Sequence, residues 1–318
     1  MSLSVIVPVY NNEESLPVLI GELQEIFKQY PEGLESRIIF VDDGSTDKSS
    51  ELILNFPFTS RVKVELIRLS RNFGQLAATV AGLERSDGDA TIVISADLQE
   101  PTKLVADMVK CWESGKKIVV CARQSRSDTS FARLTSRVAY FFLRRENPKL
   151  PIGGFDTFLI DALPLRALVS MEGRFRFLQG DILYLGFPTE ILRYHRKKRL
   201  HGKSGYSFSA RVESFTNIWI DSSYSLVRLL TRLGLLIASS GFLLTTLLLI
   251  GWFQNDVPFS GFTLIVCSIL IVGGVQILLT GLLGEYIWRQ FDMDRKRPLY
   301  ILESIIELPN GQEQVRNA

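Results

Sequence analysis

Ala90-Thr91-Ile92-Val93-Ile94-Ser95-Ala96-Asp97-Leu98-Gln99 reads as a buried strand that runs into a carboxylate and a side-chain amide. In open α/β sheets ligands bind in the crevice outside the carboxyl ends of the parallel strands, which is where this spacing puts Asp97. With Gln99 two residues on, the stretch offers two oxygens to a hard divalent cation such as Mg²⁺ or Mn²⁺. A single aspartate at a strand end is common to α/β proteins. The surrounding segments give this one its weight.

Working outward, the first half of the chain alternates strand and helix signals. Leu3 to Val9 is a short apolar run, and Leu16, Leu19, Ile20, Leu23, Ile26 and Phe27 then recur at helical spacing, with Asn11 and Asn12 as candidate caps. Arg37 to Val41 predicts a second strand, Asp47 to Asn55 a helix, and Val62 to Leu69 a third strand. A helix from Gly74 to Glu84 precedes the quoted strand. Pro101 opens another helix, and Lys117 to Cys121 is a fifth strand. Such alternation implies an α/β fold with a mostly parallel, Rossmann-like sheet and helices on both faces. From Arg123 to Gly205 the pattern is less regular and rich in arginine.

The chain has 318 residues, of which 46% are hydrophobic, but the apolar residues are unevenly spread. No charge occurs between Leu233 and Phe253, nor between Val257 and Gly284. Each stretch is long enough to cross the ~30 Å of a bilayer's hydrocarbon, which takes about 20 apolar residues. Soluble core helices seldom stay uncharged so long, so two membrane spans are expected. Arg228 and Arg232 precede the first, and Arg289, Arg295, Lys296 and Arg297 follow the second. The connecting Gln254-Asn255-Asp256 carries no basic residue. By the positive-inside rule both termini and the domain before the spans face the cytoplasm. Phe208, Val212, Phe215 and Trp219 share a helical face and predict an interfacial helix over 206–227, a helix packed on the preceding domain being the alternative. Glycines in both stretches permit close helix packing, so a homo-oligomer is expected. The organisation is thus a domain over 1–205, the interfacial helix, a two-helix hairpin over 228–288, and a tail over 289–318 that either adds an edge element or stays disordered.

A net charge of +2 excludes a general polyanion binder, and no nucleic-acid partner is expected. Cys111, Cys121 and Cys267 lack metal-ligand or disulfide spacing, which suits a reducing compartment. His195 and His201 are the two histidines, so a histidine-rich metal site or a Ser-His-Asp hydrolase is disfavoured. Neither a dinucleotide fingerprint nor a phosphate-binding P-loop follows the first strand. Four segments instead converge on the crevice. They are Pro8 to Glu14, Val41-Asp42-Asp43-Gly44-Ser45, Arg71-Asn72-Phe73-Gly74, and Ser95 to Gln99.

Taken in this order, the motifs resemble those of the glycosyltransferase family 2 enzymes of GT-A fold that load a sugar onto a polyprenyl phosphate. The chain is similar to bactoprenol glucosyltransferases and, more distantly, to dolichyl-phosphate mannose synthases, over nearly its whole length. The resemblance implies that Pro8, Tyr10, Glu14, Asp42 and Asp43 hold the nucleotide base and ribose, with Arg71 and Asn72 near the diphosphate. It makes Asp97 the principal ligand of Mg²⁺ or Mn²⁺, assisted by Gln99. Ser95 stands where the family often has a first carboxylate. Tyr194 to Tyr206 is similar to the family's basic loop, and Arg199, Lys203 and Ser204 are the residues expected on the donor. Gly153-Gly154-Phe155-Asp156-Thr157 resembles a family segment in which Asp156 orients the acceptor or the sugar hydroxyls. Asp181, in Gln179-Gly180-Asp181, is its rival.

Arg123, Arg126, Arg133 and Arg137 form a second basic cluster, the last two one helical turn apart. Guanidiniums sharing a face suit a phosphate monoester, here that of the lipid; a solvated basic surface beside anionic headgroups is the alternative. The expected reaction is inverting transfer of glucose from UDP-glucose to undecaprenyl phosphate. The same chemistry with GDP-mannose, a processive synthase, a non-catalytic membrane scaffold and a two-span channel are the alternatives. Gln179 is followed by Gly180-Asp181-Ile182-Leu183, not the Gln-x-x-Arg-Trp of processive synthases, and the apolar stretches carry no charge to mark an ion path.

Overall fold

The computed structural model describes residues 2–30, 35–59, 61–123, 150–151, 154–171, 177–195, 298–308 and 314–317, with single helical positions between 265 and 290. The chain divides into two compact units, one of Met1–Ile218 with Pro298–Ala318 and one of Trp219–Arg297.

In the first unit, strands β1 (Ser2–Val9), β2 (Glu35–Asp42), β3 (Val62–Leu69) and β4 (Ala90–Val93) lie parallel in the order β4-β1-β2-β3. Helices α1 (Leu16–Lys28), α2 (Ser49–Asn55) and α3 (Gln75–Arg85) supply the crossovers. Next come α4 (Leu104–Glu113), β5 (Ile118–Arg123), β6 (Thr157–Asp161), α5 (Ala162–Val169), α6 (Leu178–Tyr184) and β7 (Thr189–Tyr194). After the second unit the chain returns as β8 (Leu302–Leu308) and β9 (Gln314–Asn317). The full order is β7-β5-β6-β4-β1-β2-β3-β8-β9. The mostly parallel sheet expected from the alternation is thus its four-stranded centre. Both flanks are mixed: β6 runs antiparallel to β4 and β5, and β8 antiparallel to β3 and β9.

Alternation along the strands sorts the core into two layers. Val5 and Val7 of β1 and Phe40 of β2 pack with Leu16, Leu19, Ile20 and Leu23 of α1 and with Val105 and Met108 of α4. Ile6, Ile39 and Val41 face the other way, onto Ala78 and Ala81 of α3, Leu165 and Leu168 of α5, and Ile182 of α6. Each fully buried aliphatic side chain contributes about 1.5–3 kcal/mol over its exposed state.

Several local expectations shift. Asn12 does not cap α1 with its side chain; Oδ1 accepts from Tyr10 N at 2.9 Å, and Ser15 occupies the cap position. The helix expected from Pro101 begins at Leu104, after a turn in which Leu104 N donates to Pro101 O at 3.0 Å. Of the two options for the tail, the structure takes the edge element, since Ile306 is buried against the core beside Val62 and Leu66.

Among the described residues no helix is long and apolar enough to cross a membrane. The two transmembrane helices expected from sequence are therefore not seen as such. The interfacial segment 206–227 and the apolar stretch 233–253 lie outside the described residues, and 257–284 is described only at single positions. Ile265, Ile269, Val272 and Leu283 are helical there and expose more than half of their surface.

Candidate active site

Strand direction places the site. β1 to β4 are parallel, and β5 and β7 share their direction through antiparallel β6. The carboxyl ends of β1, β2, β3, β4, β5 and β7 therefore lie on one edge of the sheet, together with the start of β6. Tyr10, Asp43, Arg71, Asp97, Arg123 and Tyr194 all follow or end those strands, and Asp156 precedes β6. The segments singled out in the sequence do converge.

The first two loops are laced together. Asn11, at φ 51°, donates its N–H to Ser45 Oγ at 3.0 Å and accepts from Thr46 N at 2.8 Å. Asn12 N donates to Ser49 Oγ at 2.8 Å, and Glu13 Oε2 accepts from Lys48 N at 3.0 Å. Tyr10, directly after β1 on this edge, is 47% exposed. Pro8 sits within β1, and Glu14 in the loop that follows.

Asp42 and Asp43 are 2% and 3% exposed, and both have internal work. Asp42 accepts from Ser45 N at 2.9 Å and from the Ser50 hydroxyl. Asp43 accepts from Phe73 N at 2.7 Å on Oδ1 and from Gly74 N at 2.8 Å on Oδ2, at the amino end of α3. Burial pushes the Asp43 carboxyl above the usual aspartate range, with Asp42 adding to the rise and the two amides and Arg71 opposing it. Asp43 braces the Arg71–Gly74 loop and Asp42 its own turn into α2, and what they offer a base or ribose comes from the remaining lone pairs. Gly44 completes the brace. It has φ 69°, and a Cβ there would come within 2.7 Å of Arg71 C and 2.8 Å of Asn72 N. Arg71 lies 4.2 Å from the Phe73 ring centroid and donates to Asn72 O at 3.1 Å, which orients it at the crevice rim.

After β4, Leu98 takes the left-handed region at φ 56°, a conformation costly for a side chain with a Cβ and typical of functional loops. Gln99 N donates to Asp97 Oδ1 at 3.2 Å, which fixes the carboxylate relative to the turn. Among the described residues no three His, Cys, Asp or Glu side chains are close enough to chelate a metal. One carboxylate and a neighbouring amide nonetheless fit Mg²⁺ or Mn²⁺, which take one or two protein oxygens beside substrate phosphates and retained waters.

Beyond the metal corner, Arg123 is ion-paired with Asp156 and stands close enough to Tyr194 to interact electrostatically. Arg123, expected at the lipid phosphate, and Asp156, expected to orient the acceptor or the sugar hydroxyls, are thus ion-pair partners in this structure. Gln179 Nε2 donates to Phe155 O at 2.6 Å, which ties α6, the helix of Asp181, to the Asp156 segment. The rival aspartates therefore belong to one substructure. Arg126, Arg133, Arg137, Arg199, Lys203 and Ser204 lie outside the described residues. Sequence reading passed over Glu100 and took Tyr194 only as the start of the basic loop. Glu100 is 2% exposed and accepts from the Tyr194 hydroxyl at 3.0 Å. Its signal was a fourth polar residue, directly after Gln99, where the chain should already be entering a helix.

A family model, glycosyl transferase family 2, matches residues 4–163, the span that holds β1 to β6 and the metal corner. The chain belongs to this family. It is an enzyme, a transferase of glycosyl groups, as the resemblance of its motifs implied. The transferase is 32% identical to the bactoprenol glucosyl transferase of Shigella phage SfV, with 96% of this chain and 99% of that protein covered. It is 31% identical to the prophage bactoprenol glucosyl transferase homolog of Escherichia coli K12, over 96% and 99% of the two chains. Among solved structures, mannosyl-3-phosphoglycerate synthase from Rubrobacter xylanophilus superposes with a TM-score of 0.52 at 16% identity, covering 74% of this transferase and 75% of that chain. That likeness supports the GT-A-type α/β fold.

Proposed function

We propose that the transferase moves glucose from UDP-glucose to undecaprenyl phosphate, with inversion, at the cytoplasmic face of a membrane. The observation that carries this reading is the extent of the similarity to bactoprenol glucosyl transferases. It runs past the family domain at 4–163 and through both uncharged stretches, to 96% of the chain. Similarity of that extent supports a shared acceptor as well as a shared nucleotide-sugar fold.

In this reading Tyr10 stacks on the base, and Asp42 and Asp43 keep the loop beneath it rigid. Arg71 and Asn72 lie beside the diphosphate, joined by Arg199, Lys203 and Ser204 of the basic segment. Asp97 and Gln99 hold Mg²⁺ or Mn²⁺, which when bound neutralises charge on the leaving nucleoside diphosphate. A lipid phosphate oxygen forms the new bond to the anomeric carbon; the bond to the diphosphate breaks, and its electron pair leaves with UDP. A phosphate monoester has a second pKa near 6, so the nucleophile is mostly ionised at neutral pH and needs no strong base. Asp156 or Asp181 then acts by orientation. Arg126, Arg133 and Arg137 join Arg123, which is paired with Asp156 before the lipid arrives, in recognising the lipid phosphate. The exposed apolar positions from Ile265 to Leu283 support a lipid-facing helix in the second unit.

Purified protein incubated with Mg²⁺, undecaprenyl phosphate and each of a panel of labelled nucleotide sugars tests the proposal. UDP-glucose should give the most lipid-extractable label. A better yield from GDP-mannose would replace the donor, and no transfer from any donor would defeat the reading.

A further inference from the structure

Glu100 lies one residue beyond the Asp97–Gln99 donor pair. Its Oε1 accepts from the Tyr194 hydroxyl at 3.0 Å, whereas Oε2 is buried and has no protein partner. Buried polar atoms nearly always find a partner, so an orphaned carboxylate oxygen at the edge of a ligand site needs one that arrives with the ligand. The surroundings narrow its identity. Asp97 and Asp156 add negative charge beside it, so a donor with positive charge behind it is favoured. Oε1 is already held by Tyr194, and Mg²⁺ or Mn²⁺ needs only one or two protein oxygens, so a direct bond from Glu100 is not required. Mg²⁺ and Mn²⁺ keep several waters when bound, and those waters are donors with a cation behind them.

We propose that Glu100 is the outer-sphere carboxylate of the Asp97–Gln99 cation site, with Oε2 accepting from a water of the bound cation while Tyr194 holds Oε1. Arg123, paired with Asp156, lies beside Tyr194, so the support runs from the ends of β5 and β7 to the metal corner. Tyr194 and Arg123 are positioning residues, since they reach the site through Glu100. The assignment rests on the metal-dependent reading given above.

Mn²⁺ alone, titrated into the full-length protein and followed by the electron paramagnetic resonance of the free ion, reads the site without turnover. Glu100→Gln keeps an acceptor for Tyr194 but presents an amide where a carboxylate oxygen is needed. It should weaken Mn²⁺ binding about tenfold, as outer-shell substitutions do. The melting temperature of the metal-free protein should hold or rise, because a charge is no longer buried. Tyr194→Phe should weaken binding by a smaller factor. An unchanged Mn²⁺ dissociation constant in Glu100→Gln overturns the proposal, as does a loss of affinity that only tracks a lower melting temperature. Transfer assays on the same preparations separate the two readings. Wild-type protein that binds Mn²⁺ but transfers no sugar counts against the proposed function and leaves Glu100 in its role. Transfer at full rate in excess chelator overturns the role of Glu100.

Discussion

Asp97 is the residue whose loss should cost the most rate. Asp97→Asn removes the charged donor of the metal corner and should lower kcat by about 10²–10³, the range for removing one transition-state stabiliser. Asp156→Asn and Asp181→Asn should each cost less, because neither has to deprotonate a phosphate that is already ionised. Initial rates at saturating donor and metal check the ranking. Asp43 behaves differently: Asp43→Asn keeps one acceptor and loses the other, which should cost about 1–3 kcal/mol of stability, read as a lower melting temperature. The contrast marks what was legible. Val41-Asp42-Asp43-Gly44 announces a loop with two carboxylates, but only the folded chain reveals that Asp43 ends on the amides of Phe73 and Gly74. The same holds for Arg123 and Asp156, each readable as a polar residue at a strand end, neither readable as the other's partner.

At the scale of elements, the four central strands could be read from apolar runs, and Val62 to Leu69 was matched residue for residue. β6, α5, α6 and β7 were passed over, because they fall in the arginine-rich stretch after Arg123, where strand and helix signals no longer alternate regularly. Asp161, at the end of β6, shows how these short pieces are secured. It caps α5 through Leu163 N at 3.1 Å and accepts from Lys117 Nζ and Trp112 Nε1, each at 2.8 Å. Burial raises its pKa, but those three donors outweigh it and hold the carboxyl below the usual aspartate range. A lowered folded value means that its stabilisation is present above the ordinary aspartate pKa and is lost as pH falls through the folded one. Asp161→Asn should therefore cost about 1–3 kcal/mol at neutral pH, and the gap to wild type should close in acid, as pH-dependent melting would record. β8 is the other test at this scale. Ile306→Asp puts a charge into the core at the β3 edge and should cost about 2–5 kcal/mol in chemical denaturation. Activity should fall with it, since Ile301 O, just before β8, accepts from Ser70 N beside Arg71.

For the whole molecule, the return of β8 and β9 has a topological consequence. One sheet is built from both ends of the chain, so any membrane crossing by the intervening segment must come back to the side it left. That agrees with the hairpin read from the positions of arginine and lysine. Asn255→Cys should react with a membrane-impermeant maleimide on intact cells, and Asn317→Cys only after permeabilisation; the reverse pattern would contradict the orientation. Transfer itself is measured most directly with labelled UDP-glucose, with undecaprenyl phosphate supplied or withheld, and with wild-type or Asp97→Asn protein. Organic-phase label should appear only with wild-type protein, acceptor and divalent cation together. Label that ends as free glucose in the aqueous phase, or an Asp97→Asn variant as active as wild type, would contradict a metal-assisted transfer to lipid.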